Sequence, residues 1–133
     1  ICIVMEYLAL GDLQKHIDTT PLPESCARLI ASQVLEGLDF MHSNNFVHRD
    51  LKPSNIMVKS PGPDWWVKIA DFGLSKRRHE DFTTLHTMNR GTMGYAAPEI
   101  LGLQAGAASY TFAVDMWSLG AVVYKLVTCQ AAF

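Results

Sequence analysis

The sequence is 133 residues long, with 49% hydrophobic residues, 18% charged residues and a formal net charge of −2. This length is sufficient for one hydrophobic core, and the weakly acidic balance argues against a nucleic-acid or anionic-membrane binder that works by bulk positive charge. The three cysteines, Cys2, Cys26 and Cys129, are far apart without metal-ligand spacing, so we expect reduced thiols in an intracellular protein, cytoplasmic or nuclear.

An apolar run opens the chain. Residues 1–5 (ICIVM) predict a buried β-strand. Gly11 and Asp12 then precede a short predicted helix, and Asp12 is placed to cap its first turn, as Asp does at many helix starts. The opening of the chain is therefore predicted to be a strand, a connection and a short capped helix.

A longer amphipathic helix is predicted over residues 24–42. Pro23 lies at its start, where proline is tolerated because the first turn lacks intrahelical partners for its backbone N–H groups. Gly37 lowers the helix propensity, which predicts close packing against a neighbouring element at that point. Apolar residues recur at three- and four-residue steps along one face, and this face is expected to be core: Cys26, Ile30, Val34, Leu38 and Met41.

The next segment, residues 48–55 (HRDLKPSN), brings three polar groups into one short loop. Phosphoryl transfer from ATP requires a carboxylate that orients the attacking hydroxyl and accepts its proton. It also requires oxygen ligands for Mg²⁺ and a cation that offsets charge on the phosphoryl group. Asp50, Asn55 and Lys52 supply one of each. An isolated His-x-Asp triplet is weak support, because such triplets occur by chance in many loops.

Two strand-like runs follow, residues 56–58 and residues 66–70, separated by a Pro- and Gly-rich connection. This pattern predicts a β-hairpin that ends directly at Asp71, and with the helices it predicts an α+β fold. The hairpin would hold Asn55 and Asp71 on adjoining backbone segments, from which both side chains could reach metal ions.

The remainder of the chain is first polar and then apolar. Residues 73–91 are rich in charged residues and threonine, which is typical of a solvated loop. Residues 110–128 are nearly all apolar but include Asp115 and Lys125. Because a membrane span needs about 20 predominantly apolar residues, we interpret this segment as a buried core helix and predict no membrane span.

The motifs at residues 48–55, 71–73 (DFG) and 97–99 (APE), taken in this order, resemble the eukaryotic protein kinase family in its serine/threonine branch. The resemblance implies an α+β protein kinase-like fold over residues 1–133, as a partial catalytic domain. Residues 1–8 would be the last small-lobe strand and the hinge, and residues 9–133 the first part of a mostly helical large lobe with a small β-hairpin. The activation segment would be residues 71–99. We expect an excerpt or truncated product without the rest of the small lobe and the C-terminal helices.

The resemblance also implies ATP and Mg²⁺ as cofactors. Asp50 would act as the catalytic base, with Lys52 and Asn55 as further catalytic residues, and Asn55 and Asp71 would hold Mg²⁺. The positions expected to bind the nucleotide are the gatekeeper Met5, the hinge residues Glu6 and Leu8, the ribose contact Asp12, the adenine floor Met57 and the metal ligand Asp71.

Regulation and partners follow from the same resemblance. Arg49 and Lys76 match positions that pair with a phosphate on the activation segment, but Met88 occupies the usual acceptor position. The acceptor is therefore left open among the nearby threonines, and an upstream activating kinase is an expected partner. The protein substrate would present a Ser or Thr hydroxyl, and no nucleic-acid partner is expected. The candidate regulatory positions are Arg49, Lys76, Thr83, Thr84, Thr87 and Thr92, the last matching a hydroxyl that bonds the catalytic Asp and Lys.

Several further positions match supporting residues of the family. Asp115 would anchor the backbone of the catalytic loop, and Glu99 would pair with an Arg that does not follow in this sequence. The remaining matches belong to the two hydrophobic columns of the kinase core: His48, Phe72, Val122 and Leu126.

Two other functional classes are compared with the kinase interpretation. A non-catalytic fragment or pseudokinase would act as a binding or scaffolding module, which the absence of a Gly-rich loop and an ATP-anchoring Lys favours and the intact Asp50, Asn55 and Asp71 oppose. Small-molecule phosphotransferases of the aminoglycoside-kinase kind share an Asp-x-x-x-x-Asn loop, but residues 71–99 discriminate against them. We expect the isolated chain to be inactive and marginally folded.

Overall fold

Two long helices and a β-hairpin form most of the fold. The structure, a computed structural model, describes residues 2, 4–17, 19–77, 92–102 and 111–133, with the side chains of residues 74, 76 and 77 outside that description. Two short turns of 3₁₀-helix, Pro53–Asn55 and Phe72–Leu74, flank the hairpin. The regular elements are α1 (Gln14–Ile17), α2 (Glu24–Ser43), β1 (Phe46–Val47), β2 (Ile56–Ser60), β3 (Trp66–Ile69), β4 (Lys76–Arg77) and α3 (Ala113–Thr128).

Helix α2 follows the predicted helical periodicity. It begins directly after Pro23 and ends where the Asn44 side chain donates from Nδ2 to the carbonyl oxygen of Phe40 over 2.8 Å. This bond supplements the backbone hydrogen bond from Asn44 N to the same carbonyl oxygen over 3.3 Å, so that Asn44 closes the last turn of the helix. The face buried in the core consists of Ala27, Ile30, Val34, Leu38 and Met41, so the predicted core face is confirmed except that Ala27 is buried and Cys26 only partly so.

Strands β2 and β3 form the predicted antiparallel hairpin, with Ile56 opposite Ile69. The hairpin packs on α2, where a Cβ atom at Gly37 would lie only 2.8 Å from Ile69 Cδ1. The predicted close approach at Gly37 is therefore confirmed. Gln33 fastens the two elements, since its side chain donates to Trp65 O over 2.8 Å and accepts from Val67 N over 3.0 Å.

Helix α3 lies against α2 and completes the core. Val122 and Leu126, which were expected on its core face, have no exposed surface. The helix begins at Ala113, and Asp115 in its first turn is buried. No helix in the described part of the chain is long and apolar enough to cross a membrane.

The strand predicted over residues 1–5 is wrong for the residues of that range that the structure describes. Cys2, Val4 and Met5 lie in no strand, and Val4 and Met5 are 92% and 71% exposed. A strand requires a neighbouring strand for its hydrogen bonds. Within the described residues, β2 pairs with β3 along one edge and with the segment before α1 along the other edge. The second pairing consists of hydrogen bonds from Leu13 N to Ile56 O and from Val58 N to Gly11 O.

Candidate active site

The carboxylate of Asp50 lies at the centre of a hydrogen-bond network in the loop between β1 and β2. Lys52 Nζ lies 2.8 Å from Oδ2, the Thr92 hydroxyl donates to Oδ1 over 2.8 Å, and Asn55 Nδ2 donates to Oδ2 over 3.1 Å. The Asp50 side chain is 11% exposed. The structure thus brings together three residues predicted from one loop with Thr92, which lies 42 positions away from Asp50 in sequence.

These contacts decide the charge state of Asp50. Burial raises the pKa of the carboxyl, but the hydrogen bonds from Lys52, Thr92 and Asn55 and the charge of Lys52 lower it more, so the pKa of Asp50 falls below its usual value. At neutral pH the side chain is an anion that accepts hydrogen bonds. It is therefore suited to orienting a hydroxyl group and is a weak base until that hydroxyl begins to lose its proton.

Lys52 and Thr92 connect the loop to the segment of residues 92–102. Lys52 Nζ donates to Thr92 Oγ1 over 2.7 Å, and the same hydroxyl donates onward to Asp50. Because the Thr92 hydroxyl oxygen accepts from Lys52, its hydrogen is directed at Asp50 Oδ1. The same contacts hold the Lys52 ammonium group beside the Asp50 carboxylate. The resemblance predicted this pair of contacts for Thr92.

The amide of Asn55 has a defined orientation. Its Nδ2 atom lies 2.8 Å from the Asp50 carbonyl oxygen as well as 3.1 Å from the Asp50 carboxylate. Both neighbours only accept hydrogen bonds, so the amide nitrogen must occupy this side. The amide oxygen, Oδ1, is consequently available as a metal ligand, and it is a hard oxygen ligand of the kind that Mg²⁺ prefers.

Asp71 is carried to the same region by the hairpin. Asn55 O accepts a hydrogen bond from Ala70 N over 2.8 Å, so Asp71 follows directly on a residue bonded to Asn55. Its backbone is left-handed, with φ of 59°, and its Oδ1 atom accepts from Gly73 N over 3.1 Å. This leaves Oδ2 as a second hard oxygen donor. In the described part of the chain, no group of three or more His, Cys, Asp or Glu side chains is placed to hold a metal ion.

The backbone of the loop is held by Asp115 of α3. Its Oδ2 atom accepts from His48 N over 2.9 Å, and its Oδ1 atom accepts from Arg49 N over 2.8 Å. Arg49 has a left-handed φ of 70°, which is unfavourable for a side chain of this size. The anchoring contact expected for Asp115 is therefore present. His48 also contacts Phe72, with ring centroids 5.9 Å apart.

Of the predicted nucleotide contacts, Asp12 and Met57 are adjacent, since they form an isolated β-bridge. The predicted capping contact of Asp12 is present, because its Oδ1 atom accepts from Lys15 N over 3.3 Å. Glu6 lies over the hairpin, where its carboxylate pairs with Lys68 and Lys59. The hydrogen bond from Lys68 is the main reason that the pKa of Glu6 is lowered.

Four of the six predicted regulatory residues have side chains outside the part of the chain that the structure describes. Thr83, Thr84, Thr87 and the side chain of Lys76 lie outside the described residues.

Sequence reasoning missed the pairing of Glu6 with the hairpin lysines and the contact of His42 Nε2 with Asp115 Oδ2 over 2.8 Å. Alternation along a strand puts Lys68 and Val67 on opposite faces of β3, but no local feature of the sequence indicates Glu6 as the partner of Lys68. For His42, its place in the last turn of α2 was the available signal.

Comparison with known proteins finds matches over nearly the whole chain. A family model described as "Protein kinase domain" matches residues 1–133. A probable myosin light chain kinase of Dictyostelium discoideum is 40% identical over 130 residues, which covers 96% of this chain and 35% of the relative. The serine/threonine-protein kinase cds1 of Schizosaccharomyces pombe is 41% identical over 137 residues, which covers 98% of this chain and 28% of the relative. The chain thus spans about a third or less of the length of these relatives.

Among solved structures, one described as the Rad53 kinase domain and SCD2 superposes with a TM-score of 0.76 at 34% sequence identity. The match covers 97% of this chain and 42% of that chain. Agreement over nearly the whole described chain confirms the predicted α+β architecture with a small hairpin between helices.

Proposed function

The chain belongs to the protein kinase family, and on that premise we propose that it carries the large-lobe machinery for ATP-dependent phosphoryl transfer to Ser or Thr hydroxyls of a protein substrate. The observation that carries this proposal is the hydrogen-bonded set around Asp50. A carboxylate, a cation and an amide oxygen lie within one loop, and each side chain is oriented by at least one other.

Each member of this set has a separate task in the proposal. Asp50 accepts a hydrogen bond from the attacking hydroxyl and takes its proton as the oxygen bonds to the γ-phosphorus of ATP, while the bond from that phosphorus to the bridging oxygen breaks and ADP leaves. Lys52 lies within 2.8 Å of the same carboxylate, so its charge is available to the phosphoryl oxygens at that position. Thr92 restrains both side chains. A carboxylate has about four acceptor positions and Thr92, Lys52 and Asn55 occupy three, so one remains for a substrate hydroxyl.

The residues present fit the cofactors that the family uses. Asn55 Oδ1 and Asp71 Oδ2 are hard oxygen donors on segments joined by a backbone hydrogen bond, and two such ligands with phosphate oxygens and water suit Mg²⁺. Bound Mg²⁺ supplies charge neutralisation for the phosphates of ATP. For the nucleotide we propose Met5, Glu6, Leu8, Asp12 and Met57 as contacts. Arg49 and Lys76 are proposed as partners of a phosphate on one of Thr83, Thr84 and Thr87.

The proposal is preferred over a pseudokinase because the polar network is complete and mutually oriented. It is preferred over a small-molecule phosphotransferase because Thr92, within the segment that those enzymes lack, bonds directly to Asp50 and Lys52.

The test is a radiolabelled phosphate-transfer assay on the protein as its gene encodes it, with Mg·ATP and a generic basic protein as acceptor. Asp50→Asn should lower kcat by about 100-fold or more, the usual contribution of acid–base catalysis. Asp39→Asn, the same change at an exposed position of α2, should leave kcat unchanged. Phosphoamino acid analysis should find phosphoserine or phosphothreonine. Transfer that survives Asp50→Asn, or label found on tyrosine alone, would contradict the proposal.

A further inference from the structure

The outer edge of β3 is a row of backbone groups that need hydrogen-bond partners. On its inner edge this strand bonds to the β2 side of the hairpin, where Ala70 N donates to Asn55 O over 2.8 Å. Backbone groups alternate between the two edges of a strand, so Val67 N and Trp65 O point away from β2. Within the described part of the chain, no strand pairs with this outer edge. Both residues are buried, and buried backbone groups without partners are costly.

The side chain of Gln33 in α2 takes the place of a neighbouring strand. Its Oε1 atom accepts from Val67 N over 3.0 Å, and its Nε2 atom donates to Trp65 O over 2.8 Å. The second hydrogen of Nε2 is directed at Leu29 O, one turn earlier in α2, over 3.2 Å. Because carbonyl oxygens only accept and a backbone N–H only donates, these contacts fix the orientation of the amide. Gln33 thus offers β3 the acceptor and the donor that the backbone of an adjacent strand would offer.

Strand β3 leads directly to a proposed metal ligand. Asp71 lies four positions beyond Val67 in the sequence, and Asn55, the other proposed ligand, is bonded to the end of the same strand through Ala70 N. The hairpin is held on its β2 side by backbone bonds to the segment before α1. On its β3 side it packs on α2, where Gln33 contributes hydrogen bonds. Release of that edge would let the end of β3 move and would change the spacing of Asp71 and Asn55.

We propose that Gln33 is a positioning residue, which holds β3 on α2 so that Asp71 and Asn55 keep the spacing at which both can bind Mg²⁺. This ion demands near-octahedral geometry, so its affinity depends on how accurately its ligands are placed. Groups that orient metal ligands without touching the metal can change affinity by an order of magnitude. The metal part of this inference rests on the proposed function, whereas the holding of β3 by Gln33 does not.

The first test measures hydrogen exchange of single backbone amides by NMR in the protein as its gene encodes it. Gln33→Met keeps the length of the side chain but removes both hydrogen-bonding groups. Exchange at Val67 and at Ala70 should become about tenfold faster, as expected for the loss of one buried hydrogen bond. Ser32→Ala is the matched control, because it removes a bond to the same Leu29 carbonyl oxygen without touching β3. The proposal is overturned if Gln33→Met accelerates Val67 alone or neither amide, or if Ser32→Ala has the same effect.

Gln33→Glu tests the same contacts with a side chain of the same shape. A protonated carboxyl group can donate to Trp65 O and accept from Val67 N, whereas a carboxylate only accepts and would face carbonyl oxygens. The urea midpoint of this variant should therefore approach that of the natural protein as pH falls from 8 to about 5. The deficit of Gln33→Met should stay constant, since the charged groups lining the same groove, Glu36 and Lys68, are unchanged. A Gln33→Glu deficit that does not shrink, or failure to fold at every pH, would overturn the proposal.

The last test measures phosphate transfer from ATP to a generic basic protein over a series of free Mg²⁺ concentrations. Gln33→Met should raise the Mg²⁺ concentration for half-maximal rate about tenfold, while the rate at saturating Mg²⁺ changes less than about twofold. Asn44→Ala, which removes a hydrogen bond at the C-terminal end of α2, should leave the Mg²⁺ requirement unchanged. An unchanged requirement in Gln33→Met, or equal shifts in both variants, would overturn the positioning role. If the natural protein transfers no phosphate, the proposed function fails while exchange and unfolding still decide whether Gln33 holds β3.

Discussion

Replacing Asp115 by Asn tests how much the fold depends on one buried carboxylate. Asp115 has no exposed surface and accepts from two backbone N–H groups and from His42. An Asn side chain offers one oxygen, so in either orientation its NH₂ group faces at least one of these donors. One unsatisfied buried donor costs about 1–3 kcal/mol, and the bonds that remain are weaker because the acceptor is no longer charged.

We therefore expect Asp115→Asn to lower the free energy of unfolding by about 2–4 kcal/mol. With a typical urea dependence, this loss lowers the urea midpoint by about 1–2 M. The assay is equilibrium unfolding in urea of the protein as its gene encodes it, followed by tryptophan fluorescence. Asp39→Asn provides the matched control at an exposed position and should change the free energy of unfolding by no more than about 0.5 kcal/mol. Equal midpoints for the two variants would refute the argument that the three contacts of Asp115 stabilise the fold.

Two further predictions concern the network around Asp50. The folded-state pKa of Asp50 is lowered, so its stabilising contribution is present above the unfolded pKa of about 3.9 and is lost as pH falls through the lower folded value. Lys52→Met should raise that folded pKa and shift acid unfolding, followed by circular dichroism, to higher pH; an unchanged or lower transition pH would contradict this. Thr92→Val should lower kcat about tenfold by removing a hydroxyl that orients Asp50, whereas Thr92→Ser should retain most of the activity; equal kcat values for the two variants would show that the hydroxyl is not needed.

The features that the sequence alone determined are those encoded by short-range spacing. The buried face of α2 follows from residues three and four apart, and the β2–β3 hairpin follows from two runs separated by Pro and Gly. The loop of residues 48–55 carries its carboxylate, cation and amide within eight positions. Each pattern is local, because helix and strand periodicity place neighbouring side chains on defined faces wherever the element packs.

The tertiary structure decided the contacts that join distant positions. Residues 1–5 are apolar enough for a strand, but a strand also needs an edge to pair with, and the described residues of this range have none. Thr92 reaches Asp50 across 42 positions, and Asp115 reaches Arg49 across 66. The charge state of Asp50 depends on hydrogen-bond donors that include Thr92, which lies far away in sequence. The left-handed backbone of Arg49 depends in the same way on its hydrogen bond to Asp115 of α3. Such donors are set by how α2, α3 and the hairpin pack together, because charge and hydrogen bonding act through space and not along the chain.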